Sequence, residues 1–156
     1  LVLGPVLESD FGTSVEVVKR FLNGGFPLAP NISFGIVDVR DVAQLHLLAL
    51  ESPQASGNRF IASSETMAIP SISMVLREKI PEYKKKLPKG TAPNFLIKFL
   101  GLFSPLMKTV ADQLGKTKEL DNSKAKNILG WQPRSGEEAV VASAKSLIEF
   151  DIVKSP

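Results

Sequence analysis

The sequence predicts a mixed α/β protein folded as one unit, and three observations carry that expectation. Short apolar runs bounded by Gly and Pro alternate with stretches in which apolar residues recur every three or four positions. At 156 residues the chain is long enough for one well-filled core and too short for two. No internal repeat or low-complexity tract breaks the pattern.

Taken in order, residues 1 to 3 read as a short buried strand closed by Gly4-Pro5. The absence of an initiator Met before this strand predicts a piece of a longer chain. A helix is expected from Ser14 to Asn23, with Val15, Val18 and Leu22 on one face and Gly24-Gly25 as its stop. Thr13 and Glu16 have the spacing of a capping box. Pro27 and Pro30 mark a loop, and residues 34 to 39 are strand-like, with Asp38 interrupting the apolar run.

Asp41 is the expected N-cap of a helix from Val42 to Glu51, ended by Pro53. This helix is apolar nearly all round, which predicts burial on more than one side, with His46 in the core. Residues 59 to 62, after the Gly57-Asn58 turn, are expected to join residues 1 to 3 in one mainly parallel sheet. Ile72, Val75, Leu76 and Ile80 define an amphipathic helix that Pro81 stops. Residues 82 to 91, with four lysines and few apolar anchors, are expected to be a mobile loop.

Helical segments follow near residues 95–100 and 106–114. The i, i+4, i+8 spacing of Phe95, Phe99 and Phe103 points first to core packing, and second to an apolar lid over a substrate. Asp121-Asn122-Ser123 caps a helix that ends at Leu129-Gly130, with Trp131 plugging the junction behind it. Ser135 and Glu138 form a second capping-box pattern. The core face of the last helix comprises Val140, Val141, Ala144, Leu147 and Ile148.

Composition narrows the function. There is no cysteine, so thiol catalysis, disulfide scaffolds and Cys-ligated zinc are excluded, and a cytoplasmic location is the expectation. The longest apolar run, residues 95 to 103, is too short to cross a bilayer, and no membrane partner is expected. Net charge is +3, and the one dense basic cluster is Lys84, Lys85, Lys86 and Lys89. A solvated turn explains that cluster, so nucleic acid is not an expected partner.

Catalytic groups are sparse. None of the eleven glycines forms a Gly-x-Gly pattern, so no pyrophosphate loop is present. The single tyrosine, Tyr83, is followed four residues later by Leu87, so no Tyr-x-x-x-Lys pair exists. One histidine and no cysteine leave no metal site of ordinary nitrogen and sulfur ligands. Asp38 and Asp41 are better explained as ordering a turn and capping a helix than as an acid–base pair.

Three segments together resemble the extended short-chain dehydrogenase/reductase family, within the NAD-dependent epimerase/dehydratase superfamily, and in particular its dihydroflavonol-reductase and aldehyde-reductase-like branch. They are Leu1-Val2-Leu3-Gly4-Pro5-Val6-Leu7; then Ile36-Val37-Asp38-Val39-Arg40-Asp41-Val42-Ala43 with His46, Ala49-Leu50-Glu51 and Gly57-Asn58-Arg59-Phe60; and Asp121-Asn122-Ser123-Lys124-Ala125 through Leu129-Gly130-Trp131-Gln132-Pro133-Arg134-Ser135 to Glu137-Glu138-Ala139.

The resemblance implies that residues 1–156 are the C-terminal, substrate-binding part of such a reductase. This would comprise the end strands of a Rossmann-type parallel sheet and a mostly helical substrate region, with the N-terminal dinucleotide-binding half absent. It implies NAD(P)H as cofactor of the full-length parent, a small carbonyl compound as substrate, and a catalytic Ser/Thr, Tyr and Lys set outside these residues. No catalytic residue is therefore assigned here, and tight cofactor binding by this piece is not expected.

By the same resemblance, Val2 lies beside the nicotinamide and Ser14 contacts the cofactor, while Thr13 and Val17 line the substrate pocket. A helix-cap role for Ser14 and plain capping and packing for Thr13 and Val17 are the structural alternatives. The missing half of the protein and further copies of this chain are the expected protein partners. Alternative readings are a piece of a nucleotide-sugar epimerase or dehydratase, and a non-catalytic NAD(P)-sensing or protein-binding module.

Overall fold

Gly4, Gly24 and Gly130 take positive φ angles at three of the turns that separate the elements. The computed structural model describes residues 1–103 and 105–156. In chain order the described elements are β1 (Val2–Leu3), α1 (Glu16–Leu22), β2 (Ser33–Asp38), α2 (Val39–Glu51), β3 (Glu65–Ala68) and α3 (Ile69–Lys79). They continue with α4 (Asn94–Leu100), α5 (Pro105–Gln113), α6 (Ser123–Leu129) and α7 (Gly136–Glu149).

The strands form one sheet in the order β1-β2-β3. β1 runs parallel to β2, with Val2 opposite Val37 and Leu3 opposite Asp38. β2 pairs antiparallel with β3, from Ser33 opposite Ala68 to Ile36 opposite Glu65. The α/β class is as expected, but the sheet is mixed rather than mainly parallel. Residues 59 to 62 are not a strand. Phe60 and Ala62 instead pack on the cluster around Trp131. The strand forms three residues later, in Glu-Thr-Met-Ala, where weak intrinsic propensity is overridden by pairing with β2.

The main core gathers Leu3, Val18, Phe21 and Leu22 with Ile36, Ile72 and Leu76, closed by Ala139, Val140, Ala144 and Leu147 of α7. The Ser135–Glu138 capping box forms: the Ser135 hydroxyl accepts from the Glu138 N–H at 3.2 Å and the Glu138 carboxylate accepts from the Ser135 N–H at 3.1 Å. Hydrogen bonds from the Ser135 backbone and then its side chain pull the Glu138 carboxyl below its ordinary pKa. At α6 the Asp121 carboxylate accepts from the Ser123 N–H at 2.8 Å, and Gly130 ends the helix at φ 64°.

Other expectations are corrected. The Thr13–Glu16 capping box does not form: α1 is shorter than predicted and Val15 is its N-cap, with no side-chain cap. Asp38, not Asp41, caps α2, which begins three residues early at Val39 because the Asp38 carboxylate takes the Arg40 N–H at 2.9 Å. α2 is buried along one face only, through Asp41 and Leu45, and Leu50 is 83% exposed. His46 is exposed, with Nδ1 2.8 Å from the Val42 carbonyl oxygen.

Residues 82 to 91 are anchored, not loose. Tyr83, Leu87 and Pro88 are buried, and the Arg77 guanidinium donates to the carbonyls of Lys84 at 3.2 Å and Leu87 at 3.4 Å. The lysines project from a loop whose apolar residues face inward. On α4 the core expectation fails: Phe95, Phe99 and Phe103 are exposed, and Ile97 is the buried residue of that helix.

Candidate functional site

The backbone turns sharply where β1 ends. Gly4 sits at φ +116°, a conformation that side-chain-bearing residues rarely adopt, and a Cβ there would stand 2.8 Å from Asp38 Oδ1. Below the turn lies α7. The Ser143 hydroxyl accepts from the Gly4 N–H at 2.8 Å and shares its own proton between the carbonyls of Gly4 at 2.8 Å and Ala139 at 3.1 Å. One turn on, the Ser146 hydroxyl accepts from the Val6 N–H at 2.9 Å. Both serines are buried, so the polar groups of the turn are satisfied from within the core.

Above this clamped floor opens a cleft of about 420 Å³, whose lining includes Val2, Leu7, Phe11, Thr13, Ser14 and Val39. It lies beyond the carboxyl ends of the parallel pair β1 and β2. Val2 is 43% exposed, although its neighbour Leu3 is buried, because alternate strand residues face opposite sides. The Ser14 hydroxyl accepts from the Val2 N–H at 3.3 Å, tying the segment before α1 to the strand. That oxygen keeps a proton to donate into the cleft. The structure thus brings Val2, Thr13 and Ser14 together. Val17 stands apart, half-buried against the main core and outside the cleft lining.

Under the cleft the two aspartates occupy different places. Asp38 is fully buried and holds Arg40 through Oδ1 at 2.9 Å and Oδ2 at 2.7 Å. Burial alone would push its carboxyl up, but the Arg40 side-chain and backbone hydrogen bonds outweigh it and leave the pKa below the ordinary value. Asp41, also buried, accepts from the Arg134 backbone N–H at 2.7 Å and pairs with the Arg134 guanidinium. The Trp131 indole N–H donates to the Asp41 carbonyl at 2.9 Å. Both carboxylates are committed to guanidinium partners, so an acid–base role for the pair has no geometric basis.

The remaining candidate acids and bases are also accounted for. Tyr83 is buried, and burial pushes its phenol above the ordinary value. Among the described residues no cluster of three His, Cys, Asp or Glu side chains is arranged to hold a metal ion. No described helix is long and apolar enough to cross a membrane. Sequence reasoning missed Ser143, Ser146 and the contact between Gly4 and Asp38. The signal available was a pair of serines, three apart, set into the apolar face of a helix.

Known proteins are similar to this chain in sequence and in fold. No family profile matches the chain. The NADPH-dependent methylglyoxal reductase GRE2 of Saccharomyces cerevisiae is 30% identical over 156 residues, matching 96% of this chain and 41% of that protein. Cinnamoyl-CoA reductase 2 of Arabidopsis thaliana is 32% identical over 130 residues, matching 76% of this chain and 39% of that protein. This chain belongs to the extended short-chain dehydrogenase/reductase family.

It spans about two fifths of the length of the curated relatives it matches. The crystal structure of yeast Gre2 complexed with NADPH matches this family member with a TM-score of 0.71 at 26% identity, covering 96% of this chain and 41% of that one. Vestitone reductase from alfalfa matches with a TM-score of 0.65 at 19% identity, covering 97% of this chain and 43% of that one, a likeness of fold alone. The segments that resemble the family in sequence fall on the strand-to-turn segment under the cleft and on the Asp41–Trp131–Arg134 junction.

Proposed function

We propose that this chain is the C-terminal, substrate-side part of a cytoplasmic reductase that adds hydride from NAD(P)H to the carbonyl carbon of an aldehyde or ketone. The observation that supports this reading is the position of the cleft. In sheets with parallel strands, ligands bind beyond the carboxyl ends of those strands, and the cleft opens at that end of β1 and β2. NAD(P)H, when bound, supplies the hydride.

The residues present fit only one end of that cofactor. The exposed Val2 side chain and Val39 offer an apolar wall for the flat nicotinamide ring, and the Ser14 hydroxyl offers a proton to a cofactor oxygen. The pyrophosphate has no glycine-rich loop to receive it within these residues. In this reading Thr13, which lines the same cleft, contacts the carbonyl substrate, while Val17, outside the cleft lining, packs on the main core. The serine clamp beneath Gly4 keeps the floor rigid, so the wall does not have to reorganise when ligands enter. The proton for the carbonyl oxygen and the pyrophosphate cradle come, in this reading, from a dinucleotide-binding half that docks against this chain.

A titration that follows nicotinamide fluorescence tests the assignment, with the 156-residue chain compared with the full-length protein. The full-length protein is expected to bind NAD(P)H at micromolar concentrations and to reduce small aldehydes, and the isolated chain to do neither. Micromolar binding by the isolated chain would overturn the division of labour proposed here.

A further inference from the structure

The segment between β1 and α1 gives the cleft a sign of charge. Glu8 and Asp10 line it beside Leu7 and Phe11, and no lysine, arginine or histidine does so among the described residues. Both carboxylates are exposed, and neither has a cationic partner among the described residues. Lys19, over the Phe11 ring at 5.1 Å, shares the Glu16 carboxylate with Arg20 and lies outside the cleft lining, and Arg40 is held by Asp38. Apart from Thr13 and Ser14 the side chains of the wall are apolar: Leu7 is 88% exposed and Val2 and Val39 also present side chains to the opening.

We propose that this cleft selects uncharged or cationic carbonyl compounds with an apolar body and rejects anionic ones, with Glu8 and Asp10 as the selecting groups. The proposal rests on the reductase reading above and deepens it by assigning the substrate class. A negative group on the substrate that stands about 7 Å from one carboxylate in a water-like dielectric binds about threefold less well, and about sevenfold less well with two. Each additional negative charge compounds the penalty, so substrates carried on phosphate-rich groups are disfavoured most. A cation gains by the same factor. Because both carboxylates are exposed, the preference fades as salt shortens the screening length. Apolar contact with Leu7 and Phe11 is indifferent to charge and sets a common baseline for all three kinds of ligand.

The test uses the full-length protein and three para-substituted benzaldehydes: uncharged, carboxylate-bearing and trimethylammonium-bearing. Affinities are measured by ligand-observed NMR without NAD(P)H, so the readout does not depend on turnover. The carboxylate compound is expected to bind about sevenfold more weakly than the uncharged one at low salt, with the gap closing in 0.5 M salt. The paired variant Glu8→Gln with Asp10→Asn should erase the difference, and Glu8→Lys should narrow or reverse it. Equal affinity for the uncharged and carboxylate compounds at low salt, a gap unchanged in the paired variant, or no binding of any of the three would overturn the proposal. Turnover with NADPH is scored separately: discrimination that follows Glu8 and Asp10 without reduction of any aldehyde would leave the selectivity standing and remove the reductase reading.

Discussion

Trp131 and Phe99 are both large aromatic residues in apolar stretches, and they end in opposite places. Trp131 is fully buried between α2 and α6, against Val37, Leu45, Ala125 and Leu129, and its indole N–H is satisfied by the Asp41 carbonyl. Phe99 is 57% exposed, its ring 5.4 Å from that of Phe103 in an edge-on contact. The difference is one of partners. The Trp131 region has a buried carboxylate, a guanidinium and a helix face that meet its polar and apolar parts together. α4 packs mainly on its neighbour α5 and has no such frame. Apolar spacing therefore reports that a helix has a sticky face, not that the face is covered.

The contrast can be broken at its strongest point first. Trp131→Ala removes a fully buried ring and the hydrogen bond to α2, and should cost about 3–5 kcal/mol in denaturant melts. A loss below about 1 kcal/mol would mean that the junction is not the packed unit described. Next in size, Ser143→Ala strips the buried Gly4 N–H of its acceptor and should cost about 1–3 kcal/mol. Hydrogen exchange sharpens this one, since the Gly4 amide should lose protection while amides in α3 keep theirs.

Arg40→Ala probes the same region through pH and should cost about 1 kcal/mol at neutral pH, a modest figure because Arg40 is itself nearly half exposed. The Asp38 pKa is lowered in the fold from an ordinary value of 3.8. Its contribution is therefore complete above that value and is lost as the pH falls through the lower folded value. The stability gap between the native protein and Arg40→Ala should shrink in that acid window, and melts across pH 2–7 check it; a gap that grows on acidification would reverse the sign of the argument. The smallest effect belongs to the other side of the comparison. Phe99→Ser should change stability by less than about 0.5 kcal/mol, because the ring is already largely in water. A loss of 2 kcal/mol or more in the same melts would show that α4 is packed in solution.

Much of this architecture was legible along the chain. The Ser-x-x-Glu pattern at residues 135–138, the Leu-Gly stop at 129–130 and the Pro81 stop after α3 all mark real boundaries, because each depends on hydrogen bonds or backbone angles within a few residues. The errors have a common source in contacts across many residues. Asp38 and Asp41 exchange their expected places because Arg134, 93 residues away, takes the second carboxylate. β3 escaped notice because Glu65-Thr66-Met67-Ala68 becomes a strand only by pairing with β2. Tyr83 and Leu87 turn a lysine-rich stretch inward, which its charge did not foretell.

The candidate site divides along the same line. Val2 and Ser14 were named from sequence resemblance, and their meeting through the Ser14 hydroxyl joins positions 12 residues apart. The clamp of Ser143 and Ser146 on the β1 turn joins residues about 140 apart, and no local pattern identifies its partners. The sequence by itself determined the α/β class, the Gly130 stop of α6 and the capping box that starts α7, and the absence of a glycine-rich loop and of a Tyr-x-x-x-Lys pair, since these depend only on residue identity and short spacing. Only the tertiary structure decided which aspartate caps α2, which apolar faces are covered, and that Glu8 and Asp10 border the same cleft as Val2 and Thr13. Those outcomes are set by burial and charge pairing between distant segments, which form only when the whole chain has closed on its core.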